Sequence, residues 1–124
     1  MSGFDRLGKA ALIAEAAQEL KAERVVALDV REISSFADTF ILATGTSDRH
    51  VRSIADSIQL ALKAHGERPI GVEGYNEGRW VLIDCADTIV HLFQQEIRDH
   101  FDLERLWSDA TAIELAAAVQ SVGQ

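Results

Sequence analysis

The sequence predicts a single-domain α/β fold: a five-stranded mixed sheet with three helices, in the order α-β-β-α-β-β-β-α. Three observations lead there. Helix-forming stretches near Asp5–Ala22, Val51–Leu62 and from Glu96 onward are separated by short apolar runs of strand length. The first two of those runs are joined too closely for a parallel crossover, so they form a hairpin. A full helix then separates them from a second strand group, and a strand–helix–strand crossover of that kind is right-handed. At 124 residues the chain is long enough to bury one core without metals or disulfides.

The first helix, about Asp5 to Ala22, places Leu12, Ile13, Ala16, Ala17 and Leu20 on one side and Glu15, Gln18, Glu19 and Lys21 on the other. Val25–Val30 follows as a strand, apolar enough to lie inside a sheet rather than at its edge. Ser34, Ser35 and Asp38 mark a loop before the second strand, Thr39–Thr44. Gly45-Thr46-Ser47-Asp48 then leads into the most regular helix, with Val51, Ile54, Ala55, Ile58, Ala61 and Leu62 on one face. Thr46 or Ser47 is a natural N-cap, Asp48 suits the positive end of the helix dipole, and Gly66 can end the last turn.

A hairpin comes next. Ile70–Glu73 and Arg79–Asp84 flank Gly74-Tyr75-Asn76-Glu77-Gly78, whose glycines and asparagine supply the positive φ of a tight reversal. Pro69 suits the start of a strand. The second run puts Trp80, Leu82 and Asp84 on one side and Val81, Ile83 and Cys85 on the other. Cys85–Thr88 turns into the fifth strand, Ile89–Phe93, and the third helix runs from Glu96 through Trp107. The domain is expected to span residues 1–107, and the alanine-rich tail, 108–124, to be a short helix or mobile. Two helices cover one face of the sheet, so part of the other should stay open, which generally marks a protein interface.

Composition narrows the function. Nearly half the residues are hydrophobic, which excludes disorder for most of the chain, and no apolar run reaches the roughly 20 residues of a membrane helix. Neither a secretory signal nor a transit peptide is recognisable at the N-terminus. The single cysteine, Cys85, cannot form an internal disulfide and is consistent with a reducing cytoplasm. Twenty acidic against twelve basic residues leave a net charge of −8. That balance gives no electrostatic source for non-specific nucleic-acid binding and favours basic protein surfaces. An acidic balance is also common among ordinary soluble proteins.

Several places invite chemistry. Gly45, Thr46 and Ser47, between a strand and a helix, offer backbone N–H groups to an anion, but without the lysine of a P-loop or the third glycine of a dinucleotide fingerprint. The turn also resembles that of nucleotidyltransferases, whose chemistry needs carboxylates two residues apart on a strand. Asp29 is followed two places on by Arg31 and Asp84 by Ala86, so no strand carries the pair. Cys85 and His91 form a conceivable nucleophilic pair, though a buried thiol and a satisfied core histidine are the commoner reading. No Cys/His cluster has zinc spacing, and no catalytic residue, metal or cofactor is implied. Trp80, beside Glu73, Tyr75, Asn76 and Glu77, has the composition of an interaction hot spot, an aromatic anchor in a polar rim.

Leu28-Asp29-Val30, Ala43 to Val51, Pro69 to Gly74, Trp80 to Asp84 and Leu103 to Trp107 together resemble the ribosomal silencing factor (Iojap-like) family, in order from about Asp5 to Trp107. The resemblance implies a nucleotidyltransferase-like fold without catalysis. It also implies a factor that binds the large ribosomal subunit through its universal protein fourteen, blocks joining of the small subunit, and reduces translation when nutrients are short. Members of the family can form dimers when free. Its contact surface includes the tryptophan of the fourth strand, here Trp80. Strand geometry extends the expected site to Leu82 and Asp84, and proximity extends it to Glu73, Tyr75, Asn76 and Glu77. Two alternatives are an enzyme acting on a nucleotide through the Gly45–Asp48 turn and Asp84, and an adaptor for another basic protein.

Overall fold

The structure is a computed structural model that describes residues 6–100, 105 and 110–113. Along the chain lie α1 (Arg6–Glu19), β1 (Glu23–Asp29), β2 (Thr39–Gly45), α2 (Asp48–Ala64), β3 (Gly71–Glu73), β4 (Trp80–Cys85), β5 (Thr88–Gln94), α3 (Gln95–His100) and β6 (Thr111–Ile113). The strands form one mixed sheet in the order β3-β4-β5-β2-β1-β6. Among the described residues β2 and β5 pair in parallel and the other four pairings are antiparallel.

Among the described residues the sheet has six strands, not five. The sixth comes from the alanine-rich tail, which at Thr111–Ile113 is a strand paired with β1 rather than a helix, with Ala27 opposite Ile113 and Asp29 opposite Thr111. Three residues carry too little alternation to announce a strand, so the pairing partner decides the conformation. The same pairing explains why β1 reads as an interior strand: without β6 it would be the edge. Of the proposed third-helix extension to Trp107, only Arg105 is among the described residues, and it is helical. The rest of that extension and the remainder of the tail lie outside them.

The main core lies between the sheet and the helices. Ala10, Ile13 and Ala17 of α1, and Val51, Ile54, Ala55, Ile58 and Leu62 of α2, pack on Ile41, Val81, Ile83, Val90 and Leu92. Ser57 Oγ donates to the Ala16 carbonyl at 3.0 Å and ties the two helices together. Both ends of α2 follow the sequence. Ser47 accepts the His50 N–H as N-cap, while Gly66, at φ +77, lets Gly66 and Glu67 donate back to Lys63 and Leu62. The ammonium of Lys9 is buried and unforeseen: it donates to the Cys85 carbonyl at 2.7 Å and to Asp87 at 3.3 Å, fastening α1 to the β4–β5 turn.

The opposite face is partly covered. Phe40, Leu42, Phe93 and Ile97 form a second cluster with Val30 and Ala37. Arg98, 1% exposed, is buried beside it. Its guanidinium donates to Thr44 Oγ1 at 2.7 Å and to the Arg24 carbonyl at 2.9 Å, and lies 5.3 Å from the Phe93 ring centroid. Those bonds hold α3 across the β1–β2 end of the face. Towards β4, Trp80, Leu82 and Asp84 remain half-buried.

Candidate partner-binding site

The site rests on the alternation of β4. Val81, Ile83 and Cys85 are buried against the helices, whereas Trp80, Leu82 and Asp84 are half-buried on the other face, as the sequence predicts. Register then adds neighbours. Trp80 pairs with Phe93, Leu82 with His91 and Asp84 with Ile89 on β5. On the other side, exposed Glu73 pairs with Leu82. Glu73, Trp80, Leu82 and Asp84 thus come together as an apolar strip with carboxylates beside it.

The hairpin loop goes elsewhere. Gly74 and Gly78 adopt positive φ as expected, but Asn76 does not. The loop folds towards α2, where the Tyr75 hydroxyl donates to the Asp56 carboxylate at 2.9 Å and Arg52 donates to the Asn76 carbonyl at 3.0 Å. That hydrogen bond to Asp56 raises the pKa of the Tyr75 phenol. Gln94 donates to the Gly78 carbonyl at 3.1 Å and to the Asp48 carboxylate, closing the loop onto the helix start. Tyr75 therefore packs against the main core rather than beside Trp80, and Glu77 is exposed at the loop tip. Loop direction depends on acceptors offered by α2, which spacing along the hairpin does not reveal.

Trp80 itself is held by two residues of β5. Its Nε1–H donates to His91 Nδ1 at 3.3 Å, and its ring centroid lies 5.9 Å from that of Phe93. His91 is 6% exposed and meets the Phe40 ring edge-on at 5.0 Å. Burial pushes its pKa down to about 4, so the imidazole is neutral near pH 7. Sequence reasoning left His91 as a core histidine; its place beside Trp80 follows from register and needs the strand pairing.

The other candidates do not converge. Cys85 lies on the helix-covered face and His91 on the opposite one, so they form no pair. Burial pushes the Cys85 thiol up to about 11, which keeps it protonated and unreactive. In the Gly45–Ser47 turn, Thr46 N–H donates to His50 Nδ1 at 2.9 Å, and His50 Nε2 lies 2.6 Å from the Leu20 carbonyl. A Cβ on Gly45 would meet Val51 Cγ2 at 2.7 Å. These contacts make the turn a helix start packed against the α1–β1 connection. Asp84 lies level with Ile89 and Phe40, five residues along β2 from Gly45, a separation of roughly 17 Å. Thr46, Ser47 and Asp84 therefore do not share a site. Asp29 is engaged by the Arg31 guanidinium at 2.6–3.1 Å. Among the described residues no three His, Cys, Asp or Glu side chains are grouped to hold a metal ion, and no helix is long and apolar enough to cross a membrane.

Residues 5–123 match the family model described as "Ribosomal silencing factor during starvation". A ribosomal silencing factor of Halalkalibacterium halodurans is 39% identical over 108 residues, covering 87% of this chain and 92% of that protein. One of Bacillus subtilis is 38% identical over 104 residues, 84% and 88% of the two chains. A Chromobacterium violaceum protein solved by X-ray crystallography superposes with a TM-score of 0.82 at 35% identity, over 85% of this chain and 88% of its own. With a match over nearly the whole length and relatives this similar, the chain belongs to the ribosomal silencing factor family.

Proposed function

We propose that this protein acts in the cytoplasm as a steric silencer of translation. It docks on the large ribosomal subunit through universal protein fourteen, and its bulk then occupies the space the small subunit needs. Family membership supports the silencing role. The observation that carries the docking reading is the half-buried Trp80, flanked by Leu82 and Phe93 and bordered by Glu73 and Asp84. An aromatic anchor with an acidic border suits a basic protein surface. The net charge of −8 opposes direct docking on ribosomal RNA, so a protein landing site is the electrostatically sensible one. Tyr75, Asn76 and Glu77 fold towards α2 and lie apart from this surface, and the free protein forms a homodimer. No chemical step is involved.

The test is co-sedimentation with isolated large subunits. Trp80→Ala should weaken binding by about 2 kcal/mol, roughly thirtyfold, while the melting transition stays cooperative. Binding at wild-type affinity would remove Trp80 from the interface.

A further inference from the structure

The geometry points to His91 as a positioning residue that fixes the indole of Trp80 with its N–H turned into the protein and its hydrocarbon edge turned towards the partner. The inference rests on the docking reading above and deepens it.

His91 and Trp80 lie on the same sheet face, one register step apart, since Leu82 pairs with His91 and Trp80 with Phe93. Diagonal neighbours of that kind are within reach of aromatic side chains. The indole Nε1–H donates to His91 Nδ1 at 3.3 Å, with ring centroids 6.2 Å apart and planes at 53°. Phe93 stands 5.9 Å away at 60°, so two rings of one strand define where the indole lies. His91 is in turn immobilised: Leu42 and Leu82 flank it in register, and Phe40 abuts it at 5.0 Å and 69°.

Chemistry then assigns the proton. An indole nitrogen only donates, so Nδ1 must present its lone pair. With the ring neutral, the proton sits on Nε2. A leucine would fill this apolar site without the desolvation cost of an imidazole, but it would not accept the indole N–H. What histidine adds is orientation. The indole's single polar atom is satisfied within the protein, so the surface Trp80 offers is hydrocarbon. The matching pocket is apolar, needs no hydrogen-bond acceptor for the indole, and lies on a basic protein surface that complements Glu73 and Asp84.

The experiment combines indole NMR with large-subunit binding. The chain has two tryptophans, so Trp80→Phe assigns the Trp80 indole resonance. His91→Leu is expected to shift that resonance, speed its hydrogen exchange, and weaken binding about tenfold with the fold retained. His91→Asn, whose side-chain oxygen stands near the place of Nδ1, should recover both. Should His91→Leu not fold, His91→Phe supplies the same comparison with a ring kept against Phe40. In a Trp80→Phe background, loss of the imidazole should have no further effect on binding. An unmoved indole resonance, or a binding loss that persists without the Trp80 indole, overturns the positioning role. Loss of binding in Trp80→Ala with none in His91→Leu overturns it too and leaves the docking reading standing, whereas undiminished binding in Trp80→Ala overturns both.

Discussion

Burial of an imidazole among Phe40, Leu42 and Leu82 has a thermodynamic consequence. The pKa of His91 falls from 6.5 to about 4, so between those values the unfolded chain takes up a proton that the folded chain refuses. The contribution of this group is therefore intact above about pH 6.5 and declines as pH falls. It is fully lost below about pH 4, a change on the order of 3 kcal/mol. Urea unfolding from pH 7 to pH 4 should thus show a shallower loss of stability in His91→Leu than in wild type, and parallel curves would contradict the buried neutral ring. Strand alternation made the exposure of Trp80 legible in the sequence, along with its kinship to Leu82 and Asp84. The partnership with His91 was not legible, because it depends on which residues β4 and β5 bring opposite each other. Nor was the direction of Tyr75, which is set by a hydrogen bond to Asp56 on a distant helix.

The elements hold the site through a few contacts that substitution can expose. Gly74 has φ +78, and a Cβ there would sit 2.2 Å from the Trp80 carbonyl oxygen. Gly74→Ala should cost about 3 kcal/mol and displace the start of β4, whereas Gly71→Ala, with open space around it, serves as the neutral control. Thermal melting of the two variants checks this pair. Arg98→Met should cost about 2–3 kcal/mol in urea unfolding, because it strands Thr44 Oγ1 and the Arg24 carbonyl at the base of α3. Helix caps, the hairpin glycines and the long apolar runs were readable because local chemistry specifies them. β6 and the buried Lys9 and Arg98 were not. A three-residue strand and a buried cation are defined by distant backbone carbonyls, which no local pattern records.

Among the described residues, the domain has one helix-covered face that is a closed core and one that is closed by α3 towards β1 and half-buried towards β4. Cys85 and His91 lie on opposite faces of the sheet, and the Gly45–Ser47 turn and Asp84 lie at opposite ends, while Trp80, Leu82 and Asp84 share one half-buried strip. If the landing site is basic, as proposed, a net charge of −8 predicts association that slows as salt screens the attraction. The order of elements made the α/β class readable before any coordinates and the family resemblance made the family readable, but the sixth strand and the split between strip and loop needed the paired sheet. The most direct test is the rate at which isolated large and small subunits join in a saturating excess of this protein. The account predicts that joining falls strongly with the wild-type chain and recovers with Trp80→Ala at the same concentration; joining at an undiminished rate with the wild-type chain would contradict it.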